Sequence, residues 1–484
     1  MNYSGSVRHI DILLTWPGDG LRLFQSMIPM GLISIGTVLK QAGYRVKVID
    51  FNHYTSDFRR ELRKLQPKVI GIGGTTPSRR GSFLTAKLAK EVLPDVPVVY
   101  GGVNATFTAV QVLENVLQID YIIKGEGEFA FLSLCDMLTG RKPVDLQEIH
   151  GLCYRNAHGI TEQKPQRIND LSCISIGDRS LVGDHYRLEM EFIGGNGDFI
   201  VTSRGCPAAC NFCSAARMFP GGVRVRPIPQ VMDEVEYLVT RKNIAGLKLF
   251  DSTFTSNREH VINFCRHIRA FDIPWECEVR ADTVDRDLLR LMKESGCYYI
   301  NMGMETSHEK HLRTIAKGIS PKQVLEVLDT CRNIGMFTKV FFTFGHIGQT
   351  FDECMQDIRF IDENRETIGF FAVTVGMRVY PGTRLEKVAQ ETGLIDTSLN
   401  WTRNTKFLRN LLLFEPGDIP ILFQKQLGPL RLLAVLLLLL TKRLICTEKF
   451  LLRMIIENIT GIFRTMKMQG RYTWHRIRRV YEGI

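Results

Sequence analysis

No second cysteine pair follows the three cysteines Cys206, Cys210 and Cys213. Zinc sites usually present two C-x₂₋₄-C units, so a zinc site here would need completing from elsewhere in the chain. The sequence also lacks an apolar run near the ~20 residues that a membrane-spanning helix requires. Its leucine-rich stretch, Leu432–Leu440, has nine. The N-terminus is polar and carries no apolar leader, which predicts a cytoplasmic protein. No G-x-G-x-x-G follows the first apolar segment, which argues against a dinucleotide ligand. The other nine cysteines stand singly, the pattern of buried thiols in a reducing compartment.

At 484 residues the chain has room for two or three domains, and 44 % hydrophobic with 23 % charged residues fits a globular protein. Residues 9–128 alternate apolar strands (9–16, 45–50, 68–73, 97–100, 120–123) with helices (30–42, 57–65, 82–92, 108–116). That alternation predicts right-handed βαβ units and a parallel, doubly wound sheet. Ligands of such sheets sit at the strand carboxyl ends. Glycines cluster there: Gly71, Gly73 and Gly74, then Gly101 and Gly102, then Gly125-Glu126-Gly127-Glu128. Glycine lets a backbone come close to a bulky ligand. A second series places strands at 199–202, 246–250, 275–279, 299–302, 339–343 and 371–377, with helices between them. Six such repeats predict a partial (β/α)6 barrel with its chemistry at the C-terminal strand ends. The expected α/β organisation is a doubly wound domain over 1–140, a connecting region over 141–195, the barrel over 196–395 and a helical C-terminal region over 396–484.

Three thiolates can hold three irons of a [4Fe–4S] cluster and leave the fourth without a protein ligand, whereas fully ligated clusters use four cysteines. An open iron is a place for a molecule to bind. The segment Cys206-Pro-Ala-Ala-Cys210-Asn-Phe-Cys213, directly after Thr202-Ser203-Arg204-Gly205, resembles the signature C-x₃-C-x-aromatic-C of the radical S-adenosyl-L-methionine (SAM) superfamily. The resemblance implies that the open iron chelates SAM. One electron, from an external flavodoxin- or ferredoxin-type donor, would then cleave it to a 5′-deoxyadenosyl radical. It implies SAM-binding residues at Phe212, Asp251, Arg280, Gly303, Met304 and Glu305, the last facing the SAM amino group. Arg280 suits a carboxylate or ribose oxygen or, equally, a structural ion pair. Tyr380-Pro381-Gly382-Thr383 and Lys317-Gly318 resemble further family segments. Gly345-His346-Ile347-Gly348-Gln349-Thr350 departs from the family's Gly-x-Pro-Gly-Glu-Thr.

The N-terminal pattern resembles the cobalamin (B12)-binding, Rossmann-like domain that precedes many radical SAM domains. The matching segments are Pro29-Met30-Gly31-Leu32, Gly101-Gly102-Val103-Asn104 and Lys124-Gly125-Glu126-Gly127-Glu128. It implies cobalamin-binding residues at Gly73, Gly74, Thr75, Gly101, Gly102, Gly125, Glu126 and Gly127. Asp50-Phe51-Asn52-His53-Tyr54-Thr55 lacks the Asp-x-His-x-x-Gly spacing of domains whose His ligates cobalt, so no lower His ligand is expected. Degenerate domains without cobalamin precede the radical domain of methylthiotransferases, but those carry extra N-terminal cysteines. Cys135, Cys153 and Cys173 are too dispersed for that role.

The net charge of +11 concentrates at the end, with ten Lys or Arg against three Glu after residue 440. Leu432–Leu440 and the amphipathic stretch from Lys449 to Arg464 predict either contact with a membrane surface or a helical cap on the barrel. Taken together, the chain resembles the cobalamin-dependent radical SAM methyltransferases, with hopanoid methylases, bacteriochlorophyll methyltransferases and anaerobic Mg-porphyrin cyclases as kin. That implies a [4Fe–4S] cluster, SAM and cobalamin as cofactors. It also implies methyl transfer from methylcobalamin to an unactivated carbon of a small apolar substrate. Oxidative cyclisation without methyl transfer is the alternative. A nucleic-acid-binding protein with a structural cluster would rest on tail basicity alone, with no aromatic-rich basic motif beside it, so no nucleic-acid partner is expected. The sequence singles out no catalytic residue.

Overall fold

The computed structural model describes residues 9–17, 28–51, 57–183, 188–190, 193–397, 399–402 and 427–441. Among these residues, two seven-stranded sheets organise the chain. The first runs in the order Val46–Asp50, Ile12–Trp16, Val69–Gly73, Val98–Gly101, Tyr121–Ile123, Leu152–Asn156, Gly159–Glu162. Its first five strands are parallel. Parallel strands are covered on both faces and so read as continuous apolar runs, as in Ile12-Leu13-Leu14. Successive side chains take opposite faces. Leu13, Ile70 and Tyr100 pack against helices Phe58–Leu65, Arg79–Val92 and Val103–Asn115. Ile12, Leu14 and Val99 pack against helices Met30–Gln41 and Glu128–Leu138.

Three features depart from the sequence expectation. Residues 152–162, expected as connector, add two antiparallel strands to this sheet. Gly159–Glu162 is a half-exposed edge, so its pattern carries little apolar signal. Helix Val103–Asn115 begins directly after Gly102, five residues before the expected start, and helix Glu128–Leu138 was not expected at all.

The second sheet runs Phe370–Val375, Phe337–Phe344, Cys297–Glu305, Trp275–Val279, Gly246–Leu249, Asn196–Ile200, Leu188–Glu189. The first six strands are parallel and the last is antiparallel. This is the open, barrel-like half shell expected from the six repeats. Its core centres on Trp275, which meets Phe254 and Phe264 edge-on at 5.7 and 5.3 Å. Such aromatic pairs contribute about 0.5–1.5 kcal/mol each beyond their buried area. Helix starts are set locally: Asn257 and Asp285 cap their helices, and Ser320 and Thr350 form capping boxes with Gln323 and Glu353.

The apolar run lies in helix Pro429–Thr441, where Leu432, Val435 and Leu439 are buried in the core of the second sheet. They contact helix Phe351–Glu363 and strand Phe370–Val375. The other side of the helix is open: Leu430, Leu437 and Leu438 are 81, 53 and 36 % exposed. The helix therefore caps the shell with one face and presents leucines with the other. The basic stretch after residue 441 lies outside the described residues, as does His53. Among the described residues no helix is long and apolar enough to cross a membrane. Cys135, Cys153, Cys265, Cys277, Cys297, Cys331 and Cys354 are buried, while Cys173 is exposed.

Candidate functional site

The cysteine loop leaves the second sheet through a two-residue ladder in which Ser203–Arg204 pairs with Arg224–Val225. Its base is tied to the neighbouring strand end. Asp251 accepts hydrogen bonds from the Thr202 backbone N–H at 2.7 Å, the Thr202 hydroxyl at 2.5 Å and the Ser203 N–H at 3.0 Å. Burial raises the Asp251 carboxyl above its ordinary value, against these hydrogen bonds. Its carboxylate is consumed beneath the loop, so Asp251 holds the loop rather than facing a ligand. His260 completes this layer at 3.0 Å from the Thr202 hydroxyl, with burial lowering its imidazole to about 4.

Each thiol has a donor or cation beside it. Cys206 Sγ lies 3.6 Å from the Thr253 hydroxyl and Cys210 Sγ lies 3.6 Å from Arg280 Nη1. Cys213 Sγ accepts from the Ala215 N–H at 3.4 Å. Burial pushes the Cys213 thiol up, and Cys210 and Cys206 add to the effect by proximity. Among the described residues no three His, Cys, Asp or Glu side chains gather as a single-ion site. Three thiols on one loop, each met by a hydrogen-bond donor, fit the donor set and sulfur hydrogen bonding of an iron–sulfur cluster.

Opposite the loop, Glu305 ends strand Cys297–Glu305 with φ +72°, a left-handed conformation uncommon outside glycine. Its carboxylate pairs with Lys317 Nζ at 2.9 Å and accepts from the Thr343 hydroxyl at 3.1 Å. Gly303 leaves room for this pair: a Cβ there would lie 2.4 Å from Glu305 Oε1 and 2.6 Å from Lys317 Nζ. Met304 points the other way, fully buried in the core, so only its backbone faces the site. Arg280 grips Asp282 through Nε and Nη2 at 2.9 and 2.8 Å and donates to the Lys317 carbonyl at 2.7 Å. Its ion pair with Asp282 is the structural alternative weighed for it, and it stands beside Cys210 as well. Phe212 packs among Leu312, Ile315 and Leu385, with the Lys317 ammonium 5.8 Å from its ring centre.

The departing loop has a local logic. Gln349 Oε1 accepts from the Gly345 and His346 N–H groups at 2.8 and 3.1 Å, while its Nε2 donates to Asp357 at 2.8 Å. Asp357 also receives the Thr306 and Ser307 hydroxyls at 2.9 and 2.6 Å. An amide can accept and donate at once, which a carboxylate facing Asp357 could not.

A cavity of roughly 390 Å³ lies where the strand carboxyl ends of both sheets meet. From the first sheet it is bordered by Gly73, Gly74, Gly101, Gly102, Gly125, Glu126 and Gly127, and from the second by Ser203, Arg204, Phe250 and Ser252. The glycines serve two different ends. Gly102, at φ +99°, is pressed against the chain itself, since a Cβ there would sit 2.5 Å from the Gly74 carbonyl oxygen. At Gly101 a Cβ would meet nothing closer than 3.7 Å, so this position stays open as a cradle beside the cavity. An open, largely apolar cradle of backbone at parallel strand ends suits a flat corrin ring. Thr75 does not border the cavity. Its N–H bonds the Ser78 hydroxyl at 2.9 Å, which builds the turn into helix Arg79–Val92. Glu126 points its carboxylate at Arg204 and Arg224. Nothing in the sequence pointed to Arg224, and although Arg204, Thr253 and Lys317 stand in segments it singles out, their contacts with Glu126, Cys206 and Glu305 were not readable from it.

Residues 200–361 match the radical SAM superfamily and residues 20–134 match the B12 binding domain. An uncharacterised methyltransferase of Pyrococcus horikoshii is 30 % identical, over 78 % of this chain and 81 % of its own length. The anaerobic magnesium-protoporphyrin IX monomethyl ester cyclase of Rubrivivax gelatinosus is 29 % identical over 66 % of this chain and 60 % of its own. The hopanoid C-3 methylase of Methylococcus capsulatus is 25 % identical over 65 and 60 %. Among solved structures, the radical SAM methyltransferase TsrM of Kitasatospora setae superposes with TM-score 0.70 at 19 % identity, covering 88 % of each chain.

Proposed function

The chain belongs to the cobalamin-dependent radical SAM methyltransferase family, and from that premise we propose that it methylates an unactivated carbon of an apolar substrate, a hopanoid-type lipid or a bacteriochlorophyll-type tetrapyrrole. The cavity carries this reading. Both sheets border it with their strand ends, and Leu14, Trp16, Ile35, Phe131, Met218 and Phe250 supply an apolar wall. The neck of the cysteine loop, Ser203 and Arg204, borders the same cavity as the glycines, so a group at the loop and one at the glycines would lie near a shared substrate, with the orientation that proximity requires. When bound, SAM at the cluster supplies a hydrogen-abstracting radical and cobalamin supplies the methyl group. The residues of the chain bind and orient: Cys206, Cys210 and Cys213 would hold three irons of the cluster, Glu305 would offer its carboxylate to a SAM ammonium, and the apolar wall would keep water from the reacting carbon.

The test begins with metabolites. A deletion strain should accumulate a compound lighter by one methylene than the parent strain's product. With that compound and reconstituted protein, each product should appear with one S-adenosylhomocysteine and one 5′-deoxyadenosine. The cyclase relatives motivate a second reading, non-methylating cyclisation. Product with 5′-deoxyadenosine but no S-adenosylhomocysteine would establish it in place of methyl transfer.

Location follows from the same reading. The exposed leucines of helix Pro429–Thr441, followed at once by Lys442-Arg443 and the basic tail, support peripheral attachment to the inner face of the membrane. The full-length protein should bind anionic liposomes, lose them as salt screens the charge, and be released by carbonate. Resistance to carbonate, or no liposome binding, would overturn this assignment.

A further inference from the structure

The neck of the cysteine loop is gripped by the first sheet. Arg204 and Arg224 stand opposite each other in the Ser203–Arg204 ladder, and both reach Glu126. Each carboxylate oxygen takes one arginine, Oε1 from Arg204 Nη1 and Oε2 from Arg224 Nη1, both at 2.7 Å. Arg204 Nη2 also donates to Glu128, whose Oε1 receives the Ser34 hydroxyl at 2.7 Å. The set is electrically balanced, two cations against two anions, and nearly dry: side-chain exposure is 4 % for each glutamate, 5 % for Arg224 and 15 % for Arg204. Arg204 holds the Glu128 carboxyl below its ordinary value although burial opposes this.

Both ends of the clamp touch functional ground. Glu126 and Glu128 flank Gly127, and all three border the cavity together with Arg204. On the other side Arg204 is separated from Cys206 only by Gly205. Gly205 has φ +100°, and a Cβ on it would lie 2.5 Å from the Gly222 carbonyl oxygen. The link from arginine to cysteine is thus a tight turn braced against the far end of the same loop. A contiguous path runs from cavity wall to carboxylates, arginines and the first thiol.

We propose that this clamp couples the two binding sites, so that cobalamin in the cavity tightens SAM binding at the cysteine loop, and SAM tightens cobalamin. The proposal rests on the assignment of cobalamin to the cavity and SAM to the loop. A ligand seated against Arg204 and Glu128 removes the residual water from their ion pairs, which strengthens them in the lower dielectric. The neck is then held more firmly, and SAM binds a loop whose ordering has already been met. Linkage requires the coupling factor to be the same in both directions. Arg204 is in this sense a positioning residue.

The experiment uses full-length, anaerobically reconstituted protein with an oxidised cluster, so that SAM binds without being cleaved. SAM affinity is measured by calorimetry with and without hydroxocobalamin, and cobalamin affinity by absorbance with and without SAM. The wild type should show one factor of at least about 5-fold in both titrations. R204Q should bring that factor within about 2-fold of unity while keeping its iron content. Because R204Q leaves an unbalanced buried carboxylate, the R204Q/E128Q variant is the control for folding, since it keeps the neutral Glu126–Arg224 pair. It should lose the coupling equally. A wild type that binds both ligands independently, or a folded R204Q/E128Q variant with wild-type coupling, would overturn the clamp alone. A wild type that binds no cobalamin would overturn the cavity assignment and the clamp with it.

Discussion

The triple variant Cys206→Ala/Cys210→Ala/Cys213→Ala is expected to contain no [4Fe–4S] cluster and to form no 5′-deoxyadenosine from SAM under reducing conditions. The loss should be complete rather than graded, because an iron site with no thiolate ligand does not assemble. The fold should survive. The loop is anchored by groups other than the thiols: the Asn211 N–H donates to the Ile315 carbonyl at 2.9 Å, and the Asn211 carbonyl accepts from the Leu385 N–H at 2.8 Å. Asp251 secures the base of the loop through Thr202 and Ser203. Iron analysis, the reduced-cluster paramagnetic spectrum and circular dichroism report these three outcomes separately. Wild-type 5′-deoxyadenosine formation by the triple variant would falsify the cluster assignment.

Two neighbouring glycines should respond in opposite ways. Gly102→Ala places a methyl 2.5 Å from the Gly74 carbonyl oxygen at φ +99°, so the strand ends must part. The expected cost is about 3 kcal/mol or more, seen as a fall in thermal stability together with loss of cobalamin. Gly101→Ala meets only the Ile123 carbonyl, at 3.7 Å. It should leave stability within about 0.5 kcal/mol and still weaken cobalamin by filling the cradle. Cobalamin retention by Gly101→Ala with wild-type affinity would remove that position from the site. Equal stability of the two variants would show that the approach of Gly102 to Gly74 is not tight.

Much of the architecture was legible in one dimension because its determinants are local. Apolar runs such as Ile12-Leu13-Leu14 and Val69-Ile70 mark strands buried on both faces, and the capping residues Asn257, Asp285, Ser320 and Thr350 mark helix starts. The cysteine spacing is likewise local, since a single loop supplies all three thiols. Side-chain direction was not legible. Asp251 and Glu305 are both carboxylates at strand ends, yet one closes onto its own loop while the other pairs with Lys317. Met304 lies between two residues of the site but is buried in the core, next to an irregularity in the strand pairing at Gly303 and Glu305 that the sequence does not show. The hairpin at 152–162 was hidden because an edge strand needs few apolar residues.

The sequence by itself determined two parallel α/β sheets in tandem, a three-thiol loop at the start of the second and glycine turns at the strand ends of the first, because periodicity, caps and motif spacing act over a few residues. Only the tertiary structure decided which glycines leave space and which are pressed against the chain. It also decided that the leucine helix caps the shell with one face only, and that Glu126 and Glu128 bind arginines 76–98 residues away. Those outcomes depend on how two sheets meet, and contacts between groups so distant in sequence leave no periodic trace in it.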